Sequence, residues 1–422
     1  MDYNAKIKKQ TKLLSSEELN RLSKEELIAK IQSLEAHNFQ LQNVIAKSNS
    51  NHQRKQNSNS FDFTSCRYRH ILLNFFYLGW NYQGFAVQED TTNTIEYFLF
   101  EALIKTCLIK DRSSSNYNRC GRTDKGVSSF GQTISITVRS RLTKENEHEL
   151  DKEINYCKVL NRVLPDFIQC ISWALVPVQF SSRFDCISRL YRYYFVKGTL
   201  DIEAMRQASK CLIGSHDFRN FCKMDVGNGV VQFVRNILDF RIELLDNESS
   251  KINEYTIYVA NIQGNAFLWH QIRYIMGILF LIGSKKENPD IINKLLDVKE
   301  NPRKPDYHMA NEVPLNLFRC GYENINWQYS KDNLKSVLET LRRIWVFKSI
   351  KVAMIEDIIS NLMKQVDGSC ELRCLSENLL NGVKTKKYVP VMKRQKCESL
   401  EDKIEHFSKR NRIELVSNEN KK

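Results

Sequence analysis

The sequence predicts an α+β protein with a mostly antiparallel sheet. Three observations predict it. Several short segments alternate aromatic or β-branched residues with polar ones, as half-buried strands do. Others repeat apolar residues at helical spacing, and the two kinds follow one another without a strict strand–helix–strand rhythm.

Taken in order, residues 1–48 read as a helical preface. Ser23 and Glu26 have the spacing of a capping box. Leu27, Ile31, Leu34, Asn38, Leu41 and Ile45 then follow the 4-3 spacing of a short heptad seam, which either pairs helices or docks on its own protein. Residues 49–65 are rich in Asn, Ser and Gln and read as a flexible linker. Arg67–Tyr77 alternates and is aromatic-rich, hence a strand, and Thr94–Leu108 carries apolar residues at helical spacing. Gln132–Arg139 alternates with period two. Glu153–Leu164 and Asp201–Ile213 are expected helices, with a strand at Leu190–Lys197 between them. Val231–Leu245 and Glu254–Ile262 suggest a hairpin, and Phe267–Ile282 a largely apolar helix closed by Gly283. These segments divide into a part at 66–200, a second at 201–325 and a charged, helical extension at 326–422.

Composition narrows the function classes. With 42% hydrophobic residues, the 422-residue chain is no disordered protein. Lys and Arg number 63 against 49 Asp and Glu, a net charge of +14 that favours a polyanionic partner, nucleic acid before membrane. The longest apolar stretch, Ala266–Gly283, is interrupted by His270 and Arg273 and falls short of the roughly 18 uninterrupted residues of a membrane span. The start, MDYNAKIKKQ, has no apolar signal core, so a soluble protein of nucleus or cytoplasm is expected. Twelve cysteines contain no CxxC, and the nearest pair is Cys370 and Cys374. Reduced, buried thiols and no metal site are therefore expected.

Four segments could carry chemistry. In Cys120–Val127 (CGRTDKGV), two glycines flank a polar loop leading into a strand. Asp124, between Arg122 and Lys125, is expected to be held ionised by their charge and so fit to serve as nucleophile or base near a phosphate-bearing substrate. An ordinary turn explains the spacing equally well. In Arg189–Phe195 (RLYRYYF), Tyr191 shares a strand face with Tyr193 and Phe195, while Arg192 lies opposite. Aromatics interleaved with Arg suit stacking on bases, or simply a sheet core. In the helix near 270, Arg273 sits in an apolar setting three residues after His270 and needs an anionic partner, a substrate phosphate or a carboxylate such as Asp124. Finally, Lys384–Lys396 (KTKKYVPVMKRQK), with Lys386, Lys387, Lys393 and Arg394, is a basic run without acids and suits phosphates or a solvated face.

Together these residues resemble the TruA-type tRNA pseudouridine synthases, in particular the eukaryotic branch acting on positions 38 and 39 of the anticodon arm. The matching segments run in order from about residue 68 to 320: YLGWNYQGFAVQ (77–88), NYNRCGRTDKGVSSFGQ (116–132), SSRFDCISRLYRYYF (181–195), HDFRNFC (216–222), VRNI (234–237), GNAFLWHQIRYIMG (264–277) and PDYHMANEVPLNLF (305–318). Bacterial members usually have Ala at the place of Lys125 and two His at Trp269-His270, and both departures fit the eukaryotic branch. The resemblance implies two similar α/β halves around a basic central cleft, catalysis without cofactor or metal, and tRNA as partner. It implies the essential aspartate at Asp124, a base-extruding arginine at Arg122, a uracil-stacking tyrosine at Tyr191 and a basic partner of the aspartate at Arg273. Arg122, Lys125, Arg183, Arg192, His270 and the four basic residues of the run would contact RNA. Bacterial members are dimers, so a homodimer is left open. A catalytically silent RNA-binding protein, or an assembly factor pairing through Leu27–Ile45, would fit parts of the pattern but not Asp124, Tyr191 and Arg273 together.

Overall fold

A computed structural model of the chain describes residues 61–143, 145–224, 232–245, 255–366, 379–380 and 387–411, with side chains as far as 406. The chain divides into two units, Met1–Thr64 and Ser65–Lys422. In the first, the Asp62 carboxylate accepts from the Thr64 amide at 2.9 Å, and Phe61 meets Phe63 edge-on. The expected preface helix and most of the linker lie outside the described residues.

The second unit mixes strands and helices, as its patterning requires. Its strands are β1 (Arg67–Tyr77), β2 (Asn118–Arg119), β3 (Ser128–Ser140), β4 (Ile168–Leu175), β5 (Ser188–Val196), β6 (Gly214–Asp217), β7 (Val234–Leu244), β8 (Ile257–Gly264), β9 (Leu315–Gly321) and β10 (Gln328–Tyr329). The helices are α1 (Ile95–Lys105), α2 (Tyr156–Asn161), α3 (Ile202–Lys210), α4 (Gln271–Gly283), α5 (Ile291–Leu296), α6 (Lys331–Met363) and α7 (Leu400–Asn411). All ten strands join one sheet, ordered β10-β4-β1-β3-β9-β5-β8-β7-β6, with β2 alongside β3. Among the described residues every pairing is antiparallel except β3 with β9.

That parallel junction is short, Ser128 to Asn316 and Ser129 to Leu317, and side chains complete it. The Ser129 hydroxyl donates to the Leu317 carbonyl at 2.7 Å, and the Asn316 carboxamide accepts from the Phe130 amide at 3.1 Å. One core packs β1, β3 and β4 against α1 and α2, and another packs β5, β7 and β8 against α3 and α4. The junction thus stitches two separately cored parts of the sheet.

Local chemistry explains the element ends. Thr94 and Asp201 cap α1 and α3 by accepting from backbone amides three residues on. The expected helix over Glu153–Leu164 shrinks to α2, because Asn155 caps it, and Glu153 instead accepts from the amides of Arg141 and Ile154. The helix expected from Phe267 starts only at Gln271, because His270 holds a left-handed φ of 61° at the N-cap. Gly283 does not stop that helix but ends it from within. A Cβ there would lie 2.7 Å from the Met205 sulfur, so its smallness lets α3 approach α4.

Glu96 of α1, 1% exposed, shows how charge is handled inside. Its carboxylate accepts from the Tyr117 hydroxyl and Arg119 at 2.6 Å each and from the Val87 amide at 3.0 Å, with Arg112 3.2 Å away. Burial pushes its pKa up, but these donors outweigh burial and hold it below the usual value. Arg119 is the last residue of β2, so the pair also anchors the strand leading into the 120–127 loop. Glu96→Ala should destabilise the protein by about 3–5 kcal/mol, the range for stranding one partner of a buried pair, as read from urea unfolding. A loss under 1 kcal/mol would contradict the anchoring role.

Candidate active site

The loop between β2 and β3 is fixed by backbone and side-chain hydrogen bonds alike. The Cys120 amide donates to Thr133 O, the Phe85 amide to Thr123 O and the Gly126 amide to Tyr82 O, at 3.0–3.2 Å. The Thr123 hydroxyl shares a 2.7 Å hydrogen bond with Tyr77, and the Gln132 carboxamide donates to Gly121 O. Gly126 turns the chain at φ 78°, and a Cβ there would lie 2.8 Å from Glu312 Cγ. The result is a rigid support for Asp124.

What surrounds the Asp124 carboxylate comes from the start of α4. The Trp269 indole donates to Oδ1 at 3.2 Å, while His270 Nε2 and Arg273 Nη1 lie 3.4 and 3.8 Å from Oδ2. Arg273 is 4% exposed. Its Nε donates to Ala310 O at 2.8 Å and its Nη2 to Glu312 at 2.7 Å. The buried guanidinium therefore has two anionic neighbours, with Glu312 the tight one and Asp124 beyond hydrogen-bond reach. The expected pairing of Arg273 with Asp124 is present as an ion pair at 3.8 Å, without a hydrogen bond, and Glu312 holds the closer place.

A correction concerns the charge on Asp124. Burial raises its pKa above the ordinary value. Arg273, the Trp269 N–H and Lys223 pull the other way, and Glu312 adds to the rise. Arg122 and Lys125, its neighbours in sequence, are exposed, so their charge is spent in water. His270 is pushed down to about 4, first by burial and then by Arg273, Lys223 and Lys304, so its ring is neutral at pH 7. The contact with Asp124 is then a neutral imidazole beside a carboxyl group, not an ion pair. The His270 Nδ1 is buried without a hydrogen-bond partner.

Tyr191 lies close to the segment that faces Asp124. The register of β5 against β9 shifts between Leu190 and Tyr191, an irregularity of the kind that re-aims a side chain. The Tyr191 ring meets Phe267 edge-on at 5.2 Å, and Phe267 precedes Trp269 by two residues. Burial holds its phenol well above the usual range, so it stays a neutral ring. Asp124, His270 and Arg273 thus meet where the β2–β3 loop faces the start of α4, and Tyr191 lies on β5 against Phe267, two residues before Trp269. Trp269, Glu312 and Lys223 belong to the same group and were not singled out from sequence. Trp269 and Glu312 sit inside the segments GNAFLWHQIRYIMG and PDYHMANEVPLNLF and could have been read from them. Lys223, 4.3 Å over the Trp269 ring, carried no signal.

Comparison with known proteins decides the family. A sequence model described as tRNA pseudouridine synthase matches residues 208–323. The tRNA pseudouridine(38/39) synthase of Bos taurus is 40% identical over 95% of this chain and 91% of its own length. The chain belongs to the tRNA pseudouridine synthase family. The human tRNA pseudouridine(38/39) synthase is also 40% identical, over 94% of this chain and 90% of its own. That of Saccharomyces cerevisiae is 36% identical over 85% and 84%.

In this synthase the basic residues proposed from sequence fall into three groups. Arg122, Lys125, Arg183, Lys387 and Lys393 are exposed. Arg192 is half-buried, its guanidinium 3.6 Å over the Phe318 ring and its Nε bonded to Asn261. Arg394 donates to Val389 O and stacks on Tyr388. Lys386 lies outside the described residues. The 387–396 stretch is no free tail, because Val391 is buried in the second core and both its amide and the Tyr388 hydroxyl donate to Glu287.

The neutral His270 gives a testable pH signature. Its folded pKa of about 4 lies below the ordinary 6.5, so on acidification the unfolded chain takes up this proton first. The stability linked to the neutral ring is complete above pH 6.5 and lost as pH falls toward 4. In proton NMR, the His270 ring signals should stay unmoved from about pH 8 to 5. A midpoint at the ordinary 6.5 would contradict the buried, cation-flanked setting.

Proposed function

We propose that the chain isomerises uridine to pseudouridine at positions 38/39 of the tRNA anticodon arm, with Asp124 as the essential group. The observation that carries this is the carboxyl group of Asp124, set on a rigid loop and faced by Trp269 and His270 just before α4 and by Arg273 within it. The relatives named for the 38/39 reaction support the substrate.

The reaction breaks the N1–C1′ bond, turns the uracil while it is held, and forms C5–C1′; N1 gains a proton and C5 releases one. The target base is stacked in the anticodon arm and must be flipped out, which costs a few kcal/mol. Tyr191 as a neutral aromatic face and exposed cations such as Arg122, Lys125 and Arg183 offset that by stacking and phosphate contacts. Asp124 then attacks C1′ or C6, or removes the C2′ proton to give a glycal. A raised pKa makes its carboxylate a stronger base and nucleophile, while Arg273 at 3.8 Å and the Trp269 N–H keep the ionised form accessible. On this reading the two cores on either side of the β3–β9 junction are the two halves of the family fold, with the RNA cleft between them.

Homodimerisation is part of the proposal and rests on α6. Leu334, Leu338, Leu341, Trp345, Lys348, Val352, Ile355, Ile359 and Leu362 follow a 4-3 heptad spacing along it. Trp345 is 68% exposed, Ile355 57% and Leu362 61%. Such a stripe along a 33-residue helix suits a second copy of itself. Trp345→Glu with Ile355→Glu should turn a dimer into a monomer in light scattering. An unchanged mass would remove α6 as the interface.

The deciding assay is tritium release from tRNA labelled at uridine C5. Asp124→Ala should lower it by roughly 10²–10⁴-fold or more while tRNA binding stays nearly intact. Tyr191→Phe should keep most activity and Tyr191→Leu lose much of it, since stacking is worth about 1–3 kcal/mol per base. Because burial raises the Asp124 pKa, the acid limb of activity should lie above the ordinary 3.8. Wild-type protein that binds tRNA without releasing tritium would point to a silent RNA-binding protein instead.

A further inference from the structure

Beneath the Asp124 loop, three cysteines far apart in sequence meet. Cys120 opens the loop, Cys186 precedes β5 and Cys320 lies in β9. Their sulfurs lie within 4.8 Å of one another, and the residues are 3%, 8% and 8% exposed. Leu317, Tyr191 and Tyr322 pack around them. All three are free thiols. Apolar burial alone would account for one such thiol, but three sulfurs converging on one point form a soft donor set.

We propose that Cys120, Cys186 and Cys320 form a binding site for a divalent thiophilic ion, zinc above all, that clips the Asp124 loop to β9 and to the turn before β5. Distances allow it. Zinc–sulfur bonds of about 2.3 Å in a tetrahedron put sulfurs roughly 3.8 Å apart, so the triad need draw in by no more than about 1 Å. Charge favours it too. Three thiolates around a divalent ion leave one negative charge, and a buried charge needs a partner. That partner is Arg189, whose Nη2 donates to the carbonyls of Cys120 at 3.0 Å and Arg183 at 3.1 Å, and whose Nη1 donates to Asn265 O. Arg189 thereby spans the loop before Asp124 and the turn before β5, two of the segments such an ion would bind together, and reaches the approach to α4 as well. A monovalent ion would leave two negative charges against that one guanidinium. Three protein ligands leave the fourth position to a small exogenous ligand.

Each thiol that coordinates gives up its proton, so loading releases up to three protons per ion and tightens as pH rises. The test uses the full-length protein, stripped of metal under reducing conditions and titrated with Zn²⁺ against a chromophoric chelator, and in parallel with Cd²⁺ to read sulfur-to-metal charge transfer. Wild type should bind one ion per chain, with proton release in calorimetry and a raised melting temperature. Cys320→Ser and, as a second variant in case that one misfolds, Cys186→Ser should each weaken binding by at least tenfold. Cys66→Ser and Cys397→Ser, outside the triad, should leave it unchanged. Binding that folded triad variants retain, no binding against the chelator, or a disulfide within the triad under these reducing conditions would each overturn the proposal.

Discussion

A guanidinium cannot be left bare inside an apolar helix, and Arg273 is such a group in α4. Its demand for partners organises the site. One nitrogen takes the Ala310 carbonyl, another takes Glu312, and the third faces Asp124 at 3.8 Å. The segment around 310, the β2–β3 loop and α4 are thereby drawn to one point. Glu312 also lies against Gly126, so the carboxylate that satisfies Arg273 abuts the turn that follows Asp124.

The electrostatics of the site are a balance, not a simple pairing. Glu312 takes the close position on Arg273, which leaves the half-buried Asp124 with only part of that cation's field. Burial, with Glu312 adding to it, raises the Asp124 pKa, and burial together with the same cations keeps His270 neutral. A carboxylate that is costly to ionise is a stronger base than one saturated by a bidentate arginine. The arrangement therefore gives up tight pairing at Asp124 in favour of reactivity and places the tight pair next door.

Bringing these groups together depends on the β3–β9 junction. Two cores form locally, one around β1, β3 and β4 and one around β5, β7 and β8, and neither alone holds the complete site. The parallel pairing at Ser128 and Ser129 lies directly after the Asp124 loop. Side chains of Ser129 and Asn316 finish the hydrogen bonds that so short a pairing leaves unmade. On the far side of β9, the register shift in β5 presents Tyr191 to Phe267, and so to the segment that faces Asp124.

Much of this could be read from the sequence. Alternation of aromatic or β-branched with polar residues located β1 and β3, although the structure buries both faces of each, and apolar residues at helical spacing located α1. Asp124, Tyr191 and Arg273 stood out because an acid in a glycine-flanked loop, aromatics interleaved with arginine and a charge in an apolar helix are each unusual locally. Only the tertiary structure decided which charges act on which. Coulomb interaction depends on distance and burial in space, so Arg122 and Lys125, adjacent in the chain, matter less to Asp124 than Arg273, Glu312 and Lys223. For the same reason, the triad of Cys120, Cys186 and Cys320 left no trace in spacing, because the sheet brings together residues whose separation along the chain encodes nothing.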